Sequence, residues 1–377
     1  MQRLLERLDY GIAHGRIPRE IPFLRAERAV MLVRLGDFDR ARRELSALRA
    51  LPDAQTNTAL NAWLWLAEGL ADYFEHLGGS ARDRVLRAYA LAGTAKAPRI
   101  QSLSAAWAAH LDFRAQDYAA TIEHLRASLK LAQPEHYSAR SRAALVLAGA
   151  YHFADREDLA QPWYVRARAE AAVEGDGVTL SSITYNMAAL RIMQARLDEM
   201  FGELDEATTR RAMIGAESSA YLDRSVRTRA LGGLSMMGRA QILAASGRYA
   251  DALALYDEQL PQAMSEGLSF SECLFQADRA SCLLHLGRGD EALQAARHAA
   301  TALGWATEVE ERAITHALLA RVFAPLGLHA QAQAHARDSQ ADLQKHRQRC
   351  DSLLQMLQAG GFDAWMTGNK TRYPARA

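Results

Sequence analysis

The chain has 377 residues, 49% hydrophobic and 24% charged, with 45 basic against 44 acidic side chains and a formal net charge of +1. That length exceeds one ordinary core and calls for several domains or one repeat array, and the composition is that of a chain that folds in water. The even charge argues against a general affinity for nucleic acid or anionic membrane, both of which need a surplus of positive field.

The N-terminus, "MQRLLERLDYGIAHGRIP", carries Arg3, Glu6, Arg7 and Asp9 where a secretory signal needs an apolar run. It reads instead as a capping helix over Gln2–His14, closed by Gly15 and Pro18. No stretch reaches the roughly 18 apolar residues of a membrane span. The three cysteines, Cys273, Cys282 and Cys350, show no paired spacing, so no disulfide framework is expected. The expectation is a cytoplasmic protein without nucleic-acid or membrane partners.

From residue 21 one punctuation recurs: "LGDFDRA" (Leu35–Ala41), "FGELDEA" (Phe201–Ala207), "SGRYADA" (Ser246–Ala252), "LGRGDEA" (Leu286–Ala292) and "LGLHAQA" (Leu326–Ala332). Weaker copies are "LGGSARD" (Leu77–Asp83), "AQDYAAT" (Ala115–Thr121) and "ADREDLA" (Ala154–Ala160). Seven residues before each turn glycine or its equivalent stand Ala29, Ala71, Ala109, Ala148, Ala195, Ala240, Ala280 and Ala320, without exception. A second small position follows the turn at Ala41, Ala160, Ala207, Ala252, Ala292 and Ala332, with Asp83 and Thr121 as departures. Small residues at one place in each of two helices allow close helix approach, and the residue between them caps the first helix. Apolar residues in "ERAVMLVRL" (Glu27–Leu35) and "DRASCLLHL" (Asp278–Leu286) recur at helical spacing, and strand signals are absent. Each unit is therefore a helical hairpin, and stacked hairpins form a solenoid.

"GDFDRA" (Gly36–Ala41) and "GRYADA" (Gly247–Ala252) resemble the tetratricopeptide repeat (TPR) motif, including its aromatic at Phe38 and Tyr249. The resemblance covers roughly residues 20 to 345, with a period of about 38–47 against the family's usual ~34. It is similar to the longer-helix variant found in MalT-type sensor domains. The resemblance implies an all-α, right-handed α-solenoid of about eight hairpins with terminal capping helices. The predicted organisation is a cap at 1–20, an array at 21–345 and a C-terminal helix extension and tail at 346–377. The glycines of "EGDGVTLSSITYNMAAL" break the rhythm near 175–219, where a bend, a functional loop or a plain insertion would fit. The last helix runs without a breaker from Ala330 to Gly361. It serves as a polar cap or, on the sharper reading, as a homodimerisation or signalling helix with Leu353, Leu354 and Leu357 as its seam. The tail from Met366 is expected to be poorly ordered.

In this family the concave groove is lined by the first helix of each hairpin. Alignment carries to that face Arg34, Glu68, Asp72, Glu75 and His76, then His110, Arg114, Arg142, His152 and Arg196, then Gln241, Ser281, His285 and Arg321. The groove is then acidic at its start and basic through its centre. Arginine grips carboxylates and phosphates with two parallel bonds, so an acidic protein or peptide segment suits that centre. The alternative is that these arginines pair with acids of neighbouring helices or face water. Among the aromatics, Phe113 and Phe153 fall on groove positions. The binding candidates are thus His110, Phe113, Arg114, Arg142, His152, Phe153, Arg196 and Arg321.

Catalytic and metal motifs are not found. Cys282 and His285 share a helix face, yet no CxxC or HExxH completes a zinc set, and a buried core cysteine explains Cys282. His329, His335 and His346 read as a solvated helix face. "GGLSMMG" (Gly232–Gly238) lacks the lysine and preceding strand of a phosphate loop. The expectation is a non-enzymatic scaffold or adaptor, without cofactor or metal, that binds a protein or peptide. The alternative is a small-molecule or peptide-sensing regulatory module of MalT-like type.

Overall fold

A computed structural model of the chain describes residues 3–52, 54, 56–226, 232–306 and 308–367. The tail from Gly368 onward, for which little order is expected, lies outside the described residues. Every regular element among the described residues is helical. Helix α1 (Arg3–His14) is followed by eight hairpins in chain order. These are α2 (Ile21–Leu35) with α3 (Phe38–Arg49), α4 (Thr58–His76) with α5 (Ala81–Thr94), α6 (Pro98–Arg114) with α7 (Tyr118–Leu131), and α8 (Tyr137–Phe153) with α9 (Glu157–Glu174). They continue with α10 (Gly177–Phe201) and α11 (Glu206–Val226), α12 (Gly232–Ala245) and α13 (Tyr249–Ser265), α14 (Glu272–His285) and α15 (Gly289–Ala302), and α16 (Val309–Phe323) and α17 (His329–Ala359). A short α18 (Asp363–Thr367) ends the described chain. The fold is an all-α, TPR-like helical repeat.

The repeating punctuation has a single conformation at six of the eight hairpin turns. Gly36, Gln116, Asp155, Gly247, Gly287 and Gly327 all adopt the left-handed backbone, with φ between 56° and 79°. In each turn the following residue's N–H reaches the carbonyl five positions back, as in Asp37 to Leu32, Asp117 to Asp112 and Arg288 to Leu283, each at 2.9 Å. This double-bonded C-cap satisfies carbonyls that the helix end would otherwise leave open. The second and fifth turns differ. Leu77 rather than Gly78 takes the left-handed conformation, and Gly202 does not take it. Asp37, Asp117, Asp176 and Asp205 cap the next helix, each accepting a backbone N–H three residues on.

The small positions are where the helices meet. Ala29, Ala109, Ala148, Ala195, Ala240 and Ala280 are fully buried, as are Ala160, Ala252, Ala292 and Thr121. The departures follow the irregular turns: Asp83 and Ala207 are exposed, and their places against the partner helix are taken by Ala81 and Ala212. Polar bonds repeat with the fold as well. A buried serine on one helix donates to a carbonyl 26 residues away on its hairpin partner in Ser128–Ser102, Ser141–Ala167 and Ser339–Ala313. The region near 175–219 is helical over most of its length. Its extra residues lengthen the fifth hairpin, and α10 is continuous over 25 residues.

The helices fall into two compact units. The first comprises residues 1–73, 79–183 and 350–377, and the second comprises 74–78 and 184–349. In the first unit α1 is stitched to the loop between α9 and α10, where the Leu4 N–H donates to the Gly175 carbonyl at 3.2 Å and Arg7 pairs with Glu174. A Cβ at Gly175 would lie 2.8 Å from that of Arg3, and its φ is +78°, so only glycine suits this closure. The last residues of α17 belong to the same unit. Cys350 donates its thiol hydrogen to the Phe153 carbonyl, and Arg126 grips the Ala359 and Gly360 carbonyls. Leu353 and Leu357 are fully buried there. Of the three leucines expected as a seam, Leu353 and Leu357 are therefore covered by the chain itself, and Leu354 is half-buried.

Candidate functional site

The first unit encloses a narrow cleft of about 20 Å³, room for roughly one water. Its walls come from α1 and from the first helix of each hairpin: Glu27, Met31 and Arg34 of α2, Trp63 of α4, Trp107 of α6, Arg142 of α8 and Thr179 of α10. These are the helices from which the sequence alignment drew its groove positions.

The two arginines differ in what surrounds them. Arg34, 6% exposed, is engaged through both terminal nitrogens. Its Nη1 donates to Asp176 Oδ2 at 2.8 Å and its Nη2 to Thr179 Oγ1 at 2.5 Å, while the Thr179 hydroxyl donates on to Asp176 Oδ2 at 2.7 Å. Despite burial, the Arg34 charge and the bonds to Thr179 hold the Asp176 carboxyl below its usual value. Arg142, 4% exposed, lies with its guanidinium 3.8 Å from the centre of the Trp107 ring. Among the described residues that guanidinium has no hydrogen bond and no ion pair of its own; the Asp176 carboxylate, paired with Arg34, attracts it only from further away. Burial, followed by the repulsion of Arg34, lowers it from 12.5 to about 9. It remains charged at neutral pH, desolvated, and held mainly by an indole face.

His110 and Arg114 extend this cluster. His110 shares a 3.0 Å hydrogen bond with the Tyr73 hydroxyl and meets Trp107 edge-on. Burial, then Arg142 and Arg114, depress its pKa well below 6.5, which keeps the ring neutral. Arg114 itself is exposed. Glu27, on the opposite wall, is paired with Arg99 at 2.6 Å, and burial pushes its pKa up. The acidic start expected for the groove is taken up by partners. Arg49 forks onto Glu68, Ser80 donates to Asp72 at 2.6 Å, and Glu75 lies 3.8 Å from His76.

The remaining candidates of this unit pack rather than present themselves. Phe113 and Phe153 meet edge-to-face at 5.8 Å, with Tyr118 against Phe113. His152 is buried, with its Nδ1 at 3.2 Å from the Tyr164 hydroxyl.

Arg196 and Arg321 belong to the second unit. Arg196 is buried and paired with both Asp278 and Glu199, so of the two outcomes the sequence left open, acid pairing is the one found. Tyr256 donates to the other Asp278 oxygen at 2.9 Å. Burial raises Asp278 to about 6 even with Arg196 beside it, so the carboxyl is ionised at neutral pH. Arg321 donates to the Glu199 and Met200 carbonyls. Arg196, Glu199, Asp278 and Arg321 line a cleft of about 320 Å³ with Tyr249, Ser281 and His285. The His285 ring stacks on Tyr249 at 4.0 Å, while Cys282 is fully buried with its thiol pushed up to about 12. Cys282 and His285 therefore do not converge on a ligand. Of the histidines read as a solvated face, only His329 is exposed; His346 is buried beside Glu310, and His335 meets His316 of α16.

Two partners of the first cleft escaped the sequence reading. Asp176 carried a signal, an acid between two glycines directly before a helix, but not its pairing with a residue 142 positions away. Trp107 stood among the aromatics assigned to the core.

With this geometry in place, the comparisons with known proteins give a fold. The chain is similar to a Rap protein whose crystal structure was determined in complex with competence and sporulation factor, with a TM-score of 0.57 over 92% of this chain and 93% of that one, at 12% identity. At that identity the likeness shows the all-helical TPR-like fold alone. No protein-family model matches the chain, and no curated protein matches its sequence.

Proposed function

We propose that this protein binds a protein or peptide segment and uses Arg142 to receive a carboxylate of that guest. One observation carries the reading: Arg142 is a buried, charged guanidinium with no hydrogen bond or ion pair of its own among the described residues, facing a cleft. A desolvated charge left unpaired costs stability, and a guest carboxylate supplies the missing partner with two parallel charge-assisted bonds. The space beside it suits one small anionic group at the end of a larger guest, not a whole metabolite. The Rap protein's complex with competence and sporulation factor supports a binding role for this architecture. The role is adaptor-like or regulatory, without a catalytic step.

A test is a solution screen of short peptides with free or amidated C-termini and with Asp/Glu or Asn/Gln side chains, against wild type and Arg142→Met. Support is a set of carboxylate-bearing binders whose affinity falls with salt and is lost in the variant. Peptides that bind both proteins equally would remove Arg142 from the site.

A second reading rests on the 320 Å³ cleft of the second unit, which falls in the size range of small-molecule sites. Its alternating charges, Arg196 and Arg321 with Glu199 and Asp278, suit a small zwitterion. This is the form that the MalT-like sensor alternative takes here.

A further inference from the structure

His316 on α16 and His335 on α17 face one another across the last hairpin, with their Nδ1 atoms 2.7 Å apart. The donor atom of Asp338, one turn beyond His335, lies within 4.8 Å of both histidine donors. The sequence offers no hint of this, because His316 is 19 residues from His335 and belongs to no ligand motif. Packing brings the three together: Phe323 stacks on the His335 ring, with centroids at 5.5 Å, and fixes its plane.

We infer that His316, His335 and Asp338 form a binding site for a divalent first-row transition-metal ion. Two imidazoles and one carboxylate are a donor set that suits zinc, nickel, cobalt or copper rather than magnesium or calcium, which prefer oxygen alone. The spacing fits. Two nitrogens about 2.1 Å from one ion and 2.7 Å from each other subtend about 80°, close to the right angle of adjacent octahedral positions. Widening to a tetrahedral site asks for well under 1 Å of rotamer adjustment.

The electronic state fits as well. The Nδ1–Nδ1 hydrogen bond requires a lone pair on at least one of the two rings. One Nδ1–H donates to the other Nδ1. On binding, that ring moves its proton to Nε2, and the metal takes the place the proton held. Asp338 is exposed and its carboxylate has no cation paired with it among the described residues, so a ligand is in place at the open side. The site lies wholly within the second unit and does not depend on the role of Arg142.

The test uses the full, untagged chain stripped of metal with a chelator and titrated calorimetrically with Zn²⁺, Ni²⁺ and, as the hard-ion control, Mg²⁺. The expected result is uptake of one Zn²⁺ or Ni²⁺ per chain, no saturable Mg²⁺ binding, and a rise in Tm with Zn²⁺ as bound ligand stabilises the native state. His335→Ala and His316→Gln each weaken Zn²⁺ binding by at least about tenfold. Asp338→Asn, an exposed change that leaves the core intact, reduces affinity while the metal-free Tm stays at the wild-type value. Absence of stoichiometric Zn²⁺ uptake by the wild type overturns the inference. So does unchanged Zn²⁺ affinity in the His316→Gln/His335→Ala double variant.

Discussion

Replacing Arg142 with Met removes a charge that the empty protein holds at a loss. Lowering a guanidinium from 12.5 to about 9, at about 1.4 kcal/mol for each tenfold change in proton affinity, corresponds to a penalty on the order of 4–5 kcal/mol. Stacking on Trp107 at 3.8 Å returns about 2 kcal/mol of this. The net burden is then about 2–3 kcal/mol. Methionine keeps most of the stem volume and packs well against an aromatic face, so Arg142→Met should stabilise the ligand-free protein by about 2 kcal/mol. Urea unfolding followed by tryptophan fluorescence measures this directly. With a slope of roughly 3 kcal/mol per molar for a chain of this size, the midpoint rises by about 0.7 M at unchanged slope. The same variant should lose every carboxylate-bearing guest, the pattern of a residue kept for binding at the expense of stability. A lowered midpoint at unchanged slope refutes the reasoning, because Arg142 would then be supporting the fold rather than waiting for a partner.

Other outcomes follow from the same physics. Asp278→Asn leaves Arg196 buried with only Glu199 opposite and should cost about 3 kcal/mol, read as a drop in the urea midpoint. Arg196 is therefore unsuitable for any set of substitutions meant to spare stability. The His110 pKa lies below its unfolded value, so its contribution to stability is complete above about pH 6.5 and declines as pH falls toward the folded value. His110→Gln should flatten that acid-side decline, measured as Tm between pH 7.5 and 5. Gln116→Gly relieves a left-handed backbone at φ +61° and should stabilise by about 0.5–1 kcal/mol, whereas Gly247→Ala, at φ +74°, should destabilise by about 1 kcal/mol. Leu353→Ala empties a fully buried position and should lower stability by about 3 kcal/mol in a concentration-independent unfolding transition; a concentration-dependent loss would point to an interface between copies instead.

How much of this the sequence displays depends on the distance each feature spans. The hairpins, their number and the left-handed turn residues are local, and alignment on the turn places Gln116 and Asp155 as stand-ins for glycine. The second small position fails where a turn changes length, since a two-residue slip moves contact from Asp83 to Ala81. The site is a longer-range matter. Arg34 sits at the end of α2 and is paired with Asp176, whereas Arg142 sits in the second turn of α8 and makes no ion pair among the described residues, and neither outcome is visible within a single repeat. His316 and His335 lie in different helices of one hairpin, and only packing reveals that their nitrogens meet. Leu353 and Leu357 keep the spacing of an exposed seam, and what covers them is decided by helices some two hundred residues earlier.

The stitching of α1 and α2 to the loop before α10 has a consequence for how such a protein can evolve. An open array of hairpins tolerates duplication or loss of one member, because each touches only its neighbours. Here Arg34 and Asp176 fix the number of hairpins between them. Deleting or adding one would displace the acid from the base, strand two buried charges and part the first helix from Gly175. Through residue 183 the protein is a closed count rather than an extensible series, and its lineage is expected to vary in length only beyond that point.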